Sequence, residues 1–135
     1  MSLILQIAKG MKALHDMRPP IIHRDLKSLN VFIAQQNNDW IAKVADFGLS
    51  RSPEAEMMTM ALGTLHWMAP ELLDNKQYSL KVDVYSFAIV MWEICARKTP
   101  YYELSNPMAI MKYVTIDKKR PNMTIIDINC PTKLL

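Results

Sequence analysis

His-Arg-Asp-Leu-Lys-Ser-Leu-Asn, at residues 23–30, is the stretch of this chain that decides its fold. Two shorter signatures follow it in order, Asp-Phe-Gly at residues 46–48 and Ala-Pro-Glu at residues 69–71. A single triplet of this kind recurs by chance, but three in a fixed order, with every fixed position filled, leave coincidence little room. Their carboxylate, amide and ammonium groups are suited to holding a divalent cation and to offsetting the charge of a phosphoryl group.

The three signatures resemble the catalytic loop, the magnesium-binding triplet and the end of the substrate loop of a eukaryotic protein kinase. The resemblance covers nearly the whole chain and implies one partial protein kinase domain over residues 1–135. The implied fold class is mainly α, a kinase large lobe (C-lobe) with a helical core around a buried central helix and a small β-hairpin at the active-site edge. The catalytic loop would span residues 23–30, the activation segment residues 46–71 and the central helix about residues 81–96.

The small amino-terminal lobe of the family is not visible in the sequence. A glycine-rich phosphate loop needs glycines close together, but the chain has only Gly10, Gly48 and Gly63, far apart. No Val-Ala-Ile-Lys-like strand precedes the catalytic loop. We therefore expect an isolated large lobe, whose missing N-lobe belongs to the parent chain. Cys130-Pro131 resembles the segment before the late family helices, so those helices are expected to be truncated.

Composition narrows the classes of partner. The length of 135 residues fits one domain, and half of the residues are hydrophobic. A net charge of +3 with no long basic run argues against a nucleic-acid partner, and no apolar stretch is long enough to predict a membrane span. The two cysteines, Cys95 and Cys130, match no metal spacing and suit a reducing compartment, so a cytoplasmic location is expected.

Hydrophobic periodicity predicts the elements. Residues 3–17 have apolar positions at helical spacing, and two prolines follow. Ile21-Ile22 is predicted to be a short strand, and apolar runs at residues 31–33 and 41–45 a hairpin. Residues 81–96 are apolar on nearly every side, as in a helix at the centre of a core. Ser105-Asn106-Pro107 predicts the start of a helix that continues to about Val114.

The resemblance implies roles for five residues and names ATP and Mg²⁺ as cofactors. Asp25 would orient the substrate hydroxyl or accept its proton, and Lys27 would offset charge on the transferring phosphate. Asn30 and Asp46 would supply oxygen ligands to magnesium. Phe32 would line the floor beneath the adenine.

Other motif residues are expected to support the site. His23 and Phe47 are interpreted as packing residues that connect the loop to the core, and Asp83 would hydrogen-bond the catalytic-loop backbone near Arg24 and Asp25. Glu71 pairs in the family with a late arginine that has no counterpart in a matching context here, so it would be solvated, paired otherwise or a weak point.

Arg24 before the catalytic aspartate is typical of kinases that need phosphorylation of the activation loop, because guanidinium groups pair well with phosphate. Among the hydroxyl residues of that loop, Thr59 is the favoured regulatory phosphosite and Ser52 the second candidate. Thr64 follows Gly63 at a position that implies a structural contact with the catalytic aspartate.

Two features bear on substrate class. Lys27-Ser28 resembles serine/threonine kinases, whereas residues 65–71 resemble the substrate loop of tyrosine kinases. The mixture is typical of the tyrosine-kinase-like group, which favours serine and threonine on protein substrates.

The alternatives are a tyrosine or dual-specificity kinase, a non-catalytic docking module, and, more weakly, a small-molecule phosphotransferase. The catalytic aspartate is retained, so the parent is expected to be active, and the isolated fragment inactive.

A lobe without its covering parts would expose apolar surface, which favours self-association. The eleven methionines include Met57, Met58 and Met60 in the activation loop, where flexible side chains can adapt to a partner. A homodimer formed through exposed apolar surface is therefore expected.

Overall fold

A computed structural model of the chain describes residues 2–47 and 64–126. The described part is mainly α-helical with one two-stranded antiparallel sheet, which confirms the predicted fold class. The elements are α1 (Leu3–His15), β1 (Val31–Gln36), β2 (Asp39–Val44), α2 (Pro70–Leu73), α3 (Lys81–Ala96) and α4 (Pro107–Thr115). Short 3₁₀ helices lie at Ser28–Asn30, Thr64–Trp67 and Met123–Ile125.

Helix α1 begins at a side-chain cap, since Ser2 accepts a hydrogen bond from the backbone N–H of Leu5. It ends at His15, two residues before the predicted end. The strand predicted at Ile21-Ile22 is wrong. The N–H of Ile21 donates instead to the carbonyl of Leu14, at 3.0 Å, so the chain folds back onto the helix end rather than pairing with a strand.

The hairpin is present and longer than predicted. Val31 pairs with Val44, and the register continues to Gln36 and Asp39 at the turn. Asn37 and Asn38 form that turn with φ of 49° and 64°, a left-handed conformation that asparagine tolerates better than most residues. Because Val31 directly follows Asn30, the hairpin begins at the end of the catalytic loop.

Helix α1 packs closely on β2. A Cβ atom at Gly10 would lie 3.3 Å from Cγ2 of Val44, so the absence of a side chain permits this approach. Gln6 fixes the position along the strand, because its Oε1 accepts from the N–H of Ala42 and its Nε2 donates to the carbonyl of Trp40. The hairpin is thereby fixed to the helical core.

Helix α3 has the predicted bounds, but the described residues bury only part of its surface. Ile89 and Val90 join the core with the apolar face of α1, whereas Val84 is 60% exposed. Beside Met91 and Trp92 lies an apolar groove of about 510 Å³, which also reaches Met123 and Ile126. The apolar sequence of α3 predicts that the helix is buried on every side, and this is not observed in the described part of the chain.

Helix α4 starts as predicted, with the side chain of Asn106 accepting from the N–H of Ala109 and Pro107 in the first turn. Its buried residues Ile110 and Val114 form a second cluster with Leu65, Met68, Leu73 and Tyr101. None of the helices at residues 2–47 and 64–126 has the length and apolar character needed to cross a bilayer.

Candidate active site

The catalytic-loop backbone is anchored by one buried carboxylate on α3. Asp83 accepts from the N–H of His23 at Oδ2 and from the N–H of Arg24 at Oδ1, both at 2.9 Å. Arg24 has φ of 67°, an unfavourable conformation for a residue with a side chain. The paired bonds that the loop donates to Asp83 hold it in this turn. The N–H of Asp25 donates instead to Nδ1 of His23, at 3.3 Å.

His23 is completely buried. Because Nδ1 accepts from the backbone of Asp25, the proton lies on Nε2, which donates to the carbonyl of Ala45 at 3.0 Å. Both ring nitrogens are thus engaged within the protein. This arrangement links the catalytic loop to the residue that precedes Asp46.

Asp25, Lys27 and Asn30 converge on one point. Oδ2 of Asp25 lies 3.0 Å from Nζ of Lys27 and accepts from Nδ2 of Asn30 at 3.1 Å. The same Nδ2 donates to the carbonyl of Asp25 at 2.8 Å. Oδ1 of Asp25 is buried and has no hydrogen-bond partner within the described residues. One carboxylate oxygen is therefore held by two donors, while the other is buried without a donor among the described residues.

Asp46 is brought beside Asn30 by the end of the hairpin. The N–H of Ala45 donates to the carbonyl of Asn30, at 2.9 Å, and Asp46 is the next residue. Asp46 has φ of 60°, the second left-handed non-glycine position in the site, and its side chain is exposed. Within residues 2–47 and 64–126, the hydrogen bonds of the Asn30 side chain both use Nδ2, so its amide oxygen could face a cation. An amide and a carboxylate oxygen suit magnesium, so the residues present fit this ion.

The two aromatic site residues are both exposed. Phe32, on β1, is 57% exposed and is accessible to a ligand. Phe47 is 48% exposed and belongs to neither hydrophobic cluster, so the packing role predicted for it is not seen in the described part of the chain. The left-handed turn at Asp46 changes the chain direction just before this ring.

The start of the 3₁₀ helix Thr64–Trp67 contacts the catalytic loop. Nζ of Lys27 donates to Oγ1 of Thr64 at 2.9 Å, and Thr64 is 2% exposed. Thr64 therefore reaches Asp25 through Lys27 rather than directly. At the other end of this helix, Nε1 of Trp67 donates to Oε2 of Glu93 at 3.0 Å.

Two residues near the site were not predicted from the sequence. His15 has its Nε2 2.7 Å from Oδ2 of Asp83, although 67 residues separate the two along the chain. Glu93 accepts from the hydroxyl of Ser28 at Oε1, 2.9 Å away, in addition to Trp67. Glu93 stands among apolar residues late in α3, where Asp83 is the other carboxylate, and this contrast could have pointed to it.

The remaining predicted residues lie at the edges. Arg24 donates through its Nη1 to the hydroxyl of Tyr78 at 3.2 Å. Glu71 is half-buried in α2. Burial raises the pKa of Tyr85, and the negative charge of Glu71 raises it further, whereas the hydrogen bond with Tyr101 and the charge of Arg120 lower it. The candidate phosphosites Thr59 and Ser52, together with most of the activation segment, lie outside the described residues.

Comparison with known proteins identifies the family of the chain. Residues 1–132 match the protein kinase domain family. The chain is 41% identical over 130 residues to a Drosophila melanogaster protein named mitogen-activated protein kinase kinase kinase 7-like, covering 94% of this chain and 32% of that protein. It is 43% identical over 137 residues to a LIM domain-containing serine/threonine-protein kinase of Dictyostelium discoideum, with 98% and 19% covered.

A third relative, the serine/threonine-protein kinase roco6 of Dictyostelium discoideum, is 39% identical over 117 residues, or 83% of this chain. The chain spans 5% of roco6 and 32% of the Drosophila protein, so it corresponds to a small part of each relative. The family match covers almost the whole chain, and the Asp25, Asn30 and Asp46 signatures fall inside it. The chain therefore belongs to the protein kinase family.

Proposed function

We propose that this chain is the large lobe of an ATP-dependent protein kinase, that it transfers phosphate to serine and threonine hydroxyls, and that it needs a small lobe to do so. The observation that carries the proposal is the asymmetric carboxylate of Asp25. Its Oδ2 is held by Lys27 and Asn30, whereas its buried Oδ1 has no partner within the described residues. A buried acceptor without a donor is costly unless a ligand supplies one, and a substrate hydroxyl is such a donor.

Asp25 acts in this proposal by orienting the hydroxyl at Oδ1 and receiving its proton there. Lys27 lies next to it with an ammonium group 3.0 Å from Oδ2. This charge keeps the carboxylate in one orientation, and it offsets negative charge on the phosphoryl group as that group passes to the hydroxyl. The bond from Lys27 to Thr64 limits the movement of the ammonium group.

Asn30 and Asp46 are the residues that would hold magnesium, through the amide oxygen and the carboxylate. Bound magnesium would neutralise the phosphate oxygens of the nucleotide. The hydrogen bond from the N–H of Ala45 to the carbonyl of Asn30 brings the backbone just before Asp46 beside that of Asn30. Phe32 is the exposed aromatic ring that would contact the adenine.

A serine/threonine preference is supported by two observations. Relatives that are 39% and 43% identical carry the name serine/threonine-protein kinase. The chain also combines Lys27-Ser28 with a tryptophan-containing segment before Pro70, the mixture expected of the tyrosine-kinase-like group. Peptides that differ only in a serine, threonine or tyrosine acceptor would separate this preference from tyrosine or dual specificity.

The test compares Asp25→Asn with Asp39→Asn, an exposed aspartate of the hairpin, in this chain joined to the small lobe of a related kinase. Transfer of labelled phosphate from ATP to a peptide should fall by roughly two orders of magnitude or more in Asp25→Asn, because loss of a general base typically costs 10²–10⁴-fold. The hairpin variant should keep its turnover. Near-normal turnover in Asp25→Asn would contradict the role of Asp25, and absence of transfer in every form would favour a docking module.

A further inference from the structure

One carboxylate on α3 joins two segments of the site that are distant in sequence. Glu93 lies near the end of the helix and is half-buried. Its Oε1 accepts from the hydroxyl of Ser28 at 2.9 Å, and its Oε2 accepts from Nε1 of Trp67 at 3.0 Å. Ser28 belongs to the catalytic loop, and Trp67 ends the 3₁₀ helix just before the Ala-Pro-Glu signature.

The arrangement uses each oxygen of Glu93 for a different segment. A carboxylate with two acceptor oxygens can serve a hydroxyl and an indole N–H at the same time, whereas no apolar side chain can serve either. Burial raises the pKa of Glu93, while the bonds from Ser28 and Trp67 and the charge of His66 lower it. Hydrogen bonds to an ionised group are stronger than neutral ones, so the two donors offset part of the cost of burying the charge.

The segment that Glu93 holds is tied to the catalytic loop at its other end as well. Thr64 accepts a bond from Lys27 at the start of the 3₁₀ helix, and Trp67 donates to Glu93 at its end. Trp67 is 6% exposed and packs in the core with Leu26, so its indole has a fixed place. Two bonds at opposite ends of a four-residue helix define both its position and its direction.

We propose that Glu93 is a positioning residue that sets the segment Thr64–Trp67 against the catalytic loop and thereby affects the binding of the protein substrate. The proposal rests on the proposed kinase function, because it assigns the segment to substrate rather than to nucleotide. Asn30 and Asp46, the candidate magnesium ligands, make none of the bonds to Glu93. Loss of Glu93 should therefore change substrate binding more than nucleotide binding.

The first experiment uses the chain as it is and needs no activity. The indole N–H resonance of Trp67 is assigned in ¹⁵N-labelled protein by its loss in Trp67→Phe, since the chain has three tryptophans. This resonance should move in Glu93→Gln and, through the shared carboxylate, also in Ser28→Ala. Glu103→Gln, at an exposed position, should leave it in place. A resonance that stays unchanged in Glu93→Gln and Ser28→Ala would overturn the proposal.

The second experiment measures kinetics in the chain joined to a small lobe. Glu93→Gln should raise the KM for a peptide substrate on the order of tenfold, the effect of losing about 1.4 kcal/mol, while the KM for ATP stays within about twofold. Ser28→Ala and Trp67→Phe, which each delete one donor, should give smaller changes in the same direction. Equal changes in both KM values would contradict the substrate-specific role of Glu93. Inactivity of the unmodified protein would contradict the proposed function instead, while the resonance test of Glu93 would still apply.

Discussion

The imidazole of His15 and the carboxylate of Asp83 meet 2.7 Å apart beneath the catalytic loop, joining the last turn of α1 to the first turn of α3. Asp83 is almost fully buried, with 1% of its side chain exposed, and it also accepts from two backbone N–H groups of the loop. Three donors offset much of the cost of burying this carboxylate. His15 therefore contributes to the same support that keeps His23 and Arg24 in position.

Replacing Asp83 should destabilise the chain severely. Asp83→Ala leaves the N–H groups of His23 and Arg24 without an acceptor, and an unsatisfied buried donor typically costs about 1–3 kcal/mol. We expect a loss of at least about 3 kcal/mol in the free energy of unfolding, measured by urea denaturation. His15→Ala removes one donor to the same carboxylate and should cost about 1–2 kcal/mol.

Asp74→Ala is the matched control, because Asp74 is exposed and its carboxylate pairs with Lys76, which is also exposed. Surface pairs of this kind contribute little, so the change should stay within about 0.5 kcal/mol. A cost for Asp83→Ala no larger than that of the control would show that the loop does not depend on this anchor.

Gly10 offers a test of the contact between α1 and β2. Gly10→Ala gains up to about 1 kcal/mol in helix propensity, but its Cβ would press on Cγ2 of Val44 at 3.3 Å, so the net change should be small. Gly10→Leu cannot fit without separating the helix from the strand and should cost about 1–3 kcal/mol or more. Thermal unfolding of both variants checks this. If Gly10→Leu were as stable as Gly10→Ala, the close packing would be contradicted.

The regular elements could be predicted because their signals are local. Apolar spacing identified α1, and a stretch that is apolar on nearly every side identified α3. A polar cluster between two apolar runs identified the hairpin, and Asn106 before Pro107 identified the start of α4. The error at Ile21-Ile22 has a physical reason. An apolar dipeptide has strand propensity, but a strand needs a partner, and the N–H of Ile21 is used by Leu14.

The rest depends on contacts between distant residues, which periodicity does not carry. Glu93 binds Ser28 across 65 positions and His15 meets Asp83 across 68. The left-handed turn at Arg24 is held by the bond that its N–H donates to Asp83 rather than by residue preference. Motif spacing nevertheless predicted which residues form the candidate site. The distances and hydrogen bonds between them could be obtained only from the folded structure.

The stability of the chain should depend on the ionisation of Glu93. The ordinary pKa of a glutamate is 4.5, and burial raises the pKa of Glu93 above it in the folded chain. The associated stabilisation is present below the ordinary value and is lost as pH rises through the folded value. The free energy of unfolding of the unmodified chain, relative to Glu93→Gln, should therefore fall as pH rises from 4.5 towards neutrality.

Urea denaturation at a series of pH values measures this difference, and Glu103→Gln reports the effect of removing an exposed carboxylate. If the free energy of unfolding of the unmodified chain, relative to Glu93→Gln, were to rise with pH instead, ionised Glu93 would be the better stabilised form. The two hydrogen bonds from Ser28 and Trp67 would then outweigh the burial of the charge.

The chain on its own should bind magnesium-ATP weakly. Asn30 and Asp46 are the residues proposed to hold magnesium. Gly10, inside α1, is the only glycine of this chain before the catalytic loop, so the chain supplies no glycine-rich loop to cover the phosphates. Missing charge-assisted contacts cost about 1.5–3 kcal/mol each, which places the expected Kd at about 1 mM or weaker. Calorimetric titration, repeated after joining a small lobe, measures the difference. A micromolar Kd for the chain alone would contradict the expectation that a small lobe supplies part of the nucleotide site.

Self-association should occur through the apolar groove beside α3. The groove of about 510 Å³ is lined by Met91, Trp92 and Met123 among other apolar residues, and exposed apolar surface of this kind favours contact with a second copy. Sedimentation should therefore show dimers at high micromolar concentration.

Met91→Glu places a charge in the groove and should shift the chain to monomer. Met108→Glu, the same change at a 71% exposed site outside that lining, should not. Circular dichroism checks that both variants stay folded. A monomeric unmodified chain, or equal effects of the two substitutions, would mean that the groove is not the contact surface.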